Sequence, residues 1–140
     1  MKLKIYALII LLLLIGQSAQ ADQPSDDPIG DLLFAPELVM QHQQAIGLTD
    51  EQKESLKTDL RKAQVRFTEL QWQLQDEMER LLALLKQEQI GEQPTITQLD
   101  KVLSIEREIK RGQFALLIQI RNRLTHEQRA RLMEIKNKAK

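Results

Sequence analysis

From Leu48 to Ile90 the chain contains neither proline nor glycine. Through that stretch Leu56, Leu60, Ala63, Phe67, Leu70, Leu74, Met78, Leu81 and Leu85 recur at spacings of 4-3-4-3-4-4-3-4. An apolar period this close to 3.5 residues predicts one long helix with a single continuous seam. At 1.5 Å per residue, about forty residues make a rod roughly 60 Å long. In a chain of 140 residues, such a rod is too long to be wrapped by a globule. Another helix must cover the seam along its length.

The segment "GEQPT" (91–95) breaks the pattern, and a third helix is expected from about Thr97 to Asn122. Leu99, Val102, Ile105, Ile109, Leu116 and Ile120 lie on one of its sides, and Asn122 is a candidate C-terminal cap. A short first helix is expected from Pro36 to Ile46, with Gly47 as a left-handed cap. A last helix is expected from Thr125 into the basic end "KNKAK". Strand signals are absent, so the fold class is all-α: a four-helix elongated hairpin with one long, one medium and two short helices.

The N-terminus reads differently. Lys2 and Lys4 precede an uncharged apolar run of eleven residues, Ile5 to Ile15, and then Ala19-Gln20-Ala21. This is the layout of a secretory signal peptide, expected to occupy residues 1–21 and to be cleaved after Ala21. The run is short of the roughly 20 residues that span a bilayer as a helix, which makes an uncleaved anchor the weaker reading. Export is therefore expected. Residues 22–35, "DQPSDDPIGDLLFA", carry two Pro and four Asp and are expected to form a flexible acidic arm, leaving 36–140 as a single helical domain.

Composition excludes several functions. The chain has 20 basic and 20 acidic residues. Cleavage would remove Lys2 and Lys4 and no acid, leaving 18 against 20. Nucleic acid is therefore not an expected partner. With no cysteine, three Phe and one Trp, the core is aliphatic and no disulfide supports it. The serines outside the signal, Ser25, Ser55 and Ser104, lie in no G-x-S-x-G context. Acidic neighbours such as Asp76 and Glu77 fit a solvated helix flank, Asp76 pairing with Arg80 at i,i+4. The chain is not expected to be an enzyme and needs no cofactor. A divalent transition metal is the alternative, held by His42 and His126 with carboxylates such as Glu37 or Glu127; no H-x-x-x-H pair or thiol is present.

With Leu60, Phe67, Leu74 and Leu81 at heptad position a, Val65 and Trp72 fall at f, opposite the seam. Phe114, Leu117 and Ile118 likewise leave the face of Leu116 and Ile120. Helices apolar on two sides need a second burial partner. That partner is either a second copy, in an antiparallel homodimer, or an unfolded client protein on an apolar patch.

One phrase is written twice: "LTDEQ" at 48–52 and "LTHEQ" at 124–128. Thr49 with Gln52, and Thr125 with Gln128, have capping-box spacing, with acids in the first turn to complement the helix dipole. Leu48 and Leu124 lack an apolar partner at the fourth helical position, which is Lys53 or Arg129, and are expected to pack on a neighbouring helix. Two L-T-x-x-Q phrases on a cysteine-free, all-helical, exported chain resemble the Spy/CpxP family of periplasmic stress proteins. The resemblance covers the chain from about Pro36 to the C-terminus. It implies a curved hairpin in an antiparallel, cradle-like dimer, with Leu48, Thr49, Gln52, Leu124, Thr125 and Gln128 as structural residues. It also implies one of three roles: an ATP-independent chaperone for unfolded proteins, an inhibitor of an envelope-stress sensor kinase, or a sensor of zinc, cobalt or nickel. The chain lacks the histidine-rich or cysteine-containing segment of the metal-binding relatives. His42 nevertheless stands just ahead of the first motif, where metal-sensing relatives keep ligands.

Overall fold

A computed structural model describes Ile29 and residues 32–139 of the chain. The expected signal peptide, and most of the expected arm, lie outside the described residues. Four helices follow in order: α1, Pro36–Gln41; α2, Asp50–Leu85; α3, Glu92–Arg123; and α4, His126–Lys138. No strand occurs among the described residues, and none of their helices is long and apolar enough to cross a membrane.

The long seam is realised in α2, a rod of about 54 Å that packs along α3 as an antiparallel hairpin. Leu56, Leu70 and Leu81 are buried on α2, and Val102 and Ile120 on α3. The seam stops one position early: Leu85 is 46% exposed. It is the last residue of α2 and has passed beyond the cover of α3. The core is concentrated at the opposite end, where Phe34, Val39, Ile46, Leu48, Leu56, Ile120, Leu124 and Leu132 form one buried cluster. Phe34 belonged to the segment expected to be a flexible arm; it is instead 2% exposed, and Arg121 Nε donates to the carbonyl of Leu32 at 3.1 Å.

Three boundaries differ from expectation. α1 ends at Gln41 rather than Ile46, and residues 42–47 continue as turns. They close on Gly47 (φ 66°), with Leu48 N–H donating to Gln43 O and Gly47 N–H to Gln44 O. This is the Schellman pattern, so the left-handed glycine cap is present as expected. α3 begins at Glu92, ahead of Thr97, because Pro94 falls within the first turn, where a backbone N–H has no intrahelical acceptor to lose. Its end is Arg123, and Leu124 rather than Asn122 is the cap, in extended conformation (φ −93°, ψ 141°). Leu124 and the equally extended Thr125 (φ −70°, ψ 166°) turn the chain from α3 into α4, and the Leu124 side chain enters the core.

Candidate functional site

Both capping boxes form. Thr49 Oγ1 accepts from Gln52 N–H at 3.1 Å while Gln52 Oε1 accepts from Thr49 N–H at 3.0 Å. The same pair of bonds joins Thr125 and Gln128 at 3.2 and 2.9 Å. Leu48 and Leu124 are buried at 6% and 4% exposure, in the same cluster.

The two copies also bind each other. Gln52 Nε2 donates to Gln128 Oε1 at 2.8 Å, and Gln128 Nε2 donates to Gln52 Oε1 at 2.9 Å. The remaining amide hydrogens reach across as well, Gln52 Nε2 to Arg123 O at 2.7 Å and Gln128 Nε2 to Gly47 O at 3.1 Å. Each acceptor carbonyl lies two residues before the other motif's threonine, so the arrangement has local two-fold symmetry. Every donor and acceptor position of both amides is used. The clasp joins the starts of α2 and α4, which are 76 positions apart in sequence. Beside it Arg123 makes a two-pronged contact with Asp59, Nε at 2.9 Å and a terminal nitrogen at 3.2 Å, fastening α3 to α2.

The faces opposite the seam are open. Val65 is 62% and Trp72 64% exposed on α2; Phe114 is 46% and Ile118 39% exposed on α3. Leu117 is half-buried. Charged side chains share these helices, and ion pairs lie within α2 at Asp50–Lys53, Glu54–Lys57, Arg66–Glu69 and Glu77–Arg80. Lys57 hydrogen-bonds Glu54 at 2.7 Å, and that bond, with the adjacent ammonium charge, holds the Glu54 carboxyl below its ordinary value. Arg66 bridges Glu108 and Glu69, and those bonds raise its guanidinium above its ordinary value. The expected Asp76–Arg80 pair is replaced by Glu77–Arg80 at 2.5 Å. Glu77 sits on the α3 side of the rod, where its Oε2 also accepts from Gln98 Nε2 at 2.6 Å. Gln98 is a buried polar member of the seam (6% exposed) whose amide also donates to the Glu77 carbonyl. Apolar periodicity passes over such a residue.

His42 lies half-buried in the turn after α1, and His126 is exposed as the first residue of α4. Among the described residues no three or more histidine, aspartate or glutamate side chains are grouped so that they could hold a metal ion. His42, His126, Glu37 and Glu127 therefore form no ready cage for a metal.

An all-helical hairpin, closed by two paired L-T-x-x-Q caps and bare on its outer faces, defines a class of small all-helical proteins. The family model described as heavy-metal resistance matches residues 6–131. The chain belongs to that family, which is related to the Spy/CpxP-like periplasmic proteins. No curated protein and no solved structure matches it.

Proposed function

We propose that this protein is an exported accessory of heavy-metal stress that holds unfolded polypeptides without ATP. One observation carries the reading: Val65, Trp72, Phe114 and Ile118 stand exposed on charged helices. Shallow apolar contact would retain a client while the surrounding mixed charge keeps the complex soluble. Membership of the heavy-metal-resistance family supplies the stress; metal-damaged envelope proteins are the clients it suggests. The test adds purified protein to an aggregating client in the absence of nucleotide. Suppression of light scattering is expected near stoichiometric amounts, and it should be lost in the Val65→Ser, Trp72→Ser, Phe114→Ser variant. No suppression by the unsubstituted protein would sink the reading.

The family match also favours a second reading, a metal sensor acting on a membrane-bound partner such as a sensor kinase. Calorimetric titration with zinc, cobalt and nickel separates the two. Tight binding abolished by His42→Ala would establish the sensor, whereas a holdase needs no such binding.

A further inference from the structure

Gly112 lies in the interior of α3, where glycine is the least favourable residue after proline. A Cβ built there meets nothing within 4 Å. No packing against its own chain therefore requires the missing side chain. The bare backbone leaves room for another group to approach closely. Beside it, between α2 and α3, runs an open groove of about 510 Å³. Buried Leu70 lines it, together with Gly112 and Ala115, and Arg66, Arg107 and Arg111 bring three positive charges to the same surface. Its one acid, Glu108, is already paired with Arg66. Arg107 and Arg111 form no ion pair or side-chain hydrogen bond among the described residues.

Guanidinium forks recognise carboxylates, while the apolar floor and the vacant Cβ position offer nothing to a small anion. The balanced 20 to 20 charge of the chain does not suit nucleic acid, whose binding rests on excess basic charge. We propose that this groove binds an acidic segment of a partner polypeptide, with an apolar side chain over Gly112 and carboxylates on Arg107 and Arg111. The groove adjoins Phe114 and Ile118 on α3 but is lined by neither of them, nor by Val65 or Trp72, so the proposal does not depend on the holdase reading.

The probe is a fluorescein-labelled peptide with two leucines flanked by aspartates and glutamates, set against its lysine-for-acid counterpart, in anisotropy titrations with the full chain. The acidic peptide should bind at least about tenfold more tightly, and added salt should weaken it because exposed charges are screened. Gly112→Leu fills the groove with a better helix former, so it should retain full helicity and melt no lower than the parent. It should nevertheless weaken acidic-peptide binding about tenfold or more, the scale of one lost apolar anchor. Arg107→Glu with Arg111→Glu should weaken it similarly. Three results would each overturn the proposal. Equal binding of the two peptides would remove the charge complementarity. Unchanged affinity in Gly112→Leu would mean diffuse surface charge. A dimer in sedimentation that Gly112→Leu dissolves would make the groove a contact between copies of this chain. Val65 and Trp72 are untouched in these variants, so a negative result leaves the aggregation test standing.

Discussion

The third helical position of each motif is occupied by glutamine, and glutamate would satisfy a capping box equally well. The clasp explains the amide. Each glutamine must accept from its own threonine N–H and from the other glutamine, while donating both amide hydrogens across the junction. A carboxylate has no donor, and two would face each other across 2.8–2.9 Å contacts. Gln52→Glu should therefore preserve the cap yet destabilise the protein by about 1–3 kcal/mol, the scale of leaving buried partners unsatisfied. Gln52→Ala and Gln128→Ala should be non-additive in urea unfolding, with a coupling of about 0.5–3 kcal/mol. Strictly additive losses would mean that the two motifs act only as independent caps. The capping role was legible from T-x-x-Q spacing. The pairing was not, because no local pattern records which two helix starts meet.

Helix ends here follow backbone chemistry more closely than apolar rhythm. Gly47 was readable because a left-handed cap demands glycine, and its φ of 66° meets that demand. A Cβ there would meet no atom within 4 Å, so Gly47→Ala isolates the backbone conformation. The expected loss is about 1–2 kcal/mol, smaller for Gly47→Asn, as a shift in the urea midpoint at unchanged slope. A loss below a few tenths would show that the turn relaxes freely. Pro94 lies in the segment that breaks the α2 pattern, yet it sits in the first turn of α3, where a proline costs no intrahelical hydrogen bond. Asn122 looked like a cap, yet the extended Leu124 makes the turn because burial of its side chain outweighs local preference.

The whole molecule is lopsided. Its core cluster gathers α1, α4 and the adjoining ends of α2 and α3, while along the rod toward the hairpin tip Leu70, Leu81, Gln98 and Val102 are the only other buried residues among those described. Trp72, the single tryptophan, is 64% exposed and reports on what covers the outer face. In the free protein its emission should be that of a solvated indole, readily quenched by acrylamide. It should shift to the blue when unfolded client is added. A blue-shifted emission that depends on protein concentration, and is indifferent to client, would assign this face to a homodimer instead.

The helical class, the long seam, the glycine cap and the two helix starts were written in local sequence, because period, φ and capping are properties of neighbouring residues. The clasp between Gln52 and Gln128, the burial of Phe34, the place of Gln98 in the seam and the bare groove at Gly112 depend on residues far apart in the chain. Which donor finds which acceptor, and which apolar side chain stays uncovered, is settled only when the hairpin closes and brings distant backbone into hydrogen-bonding range.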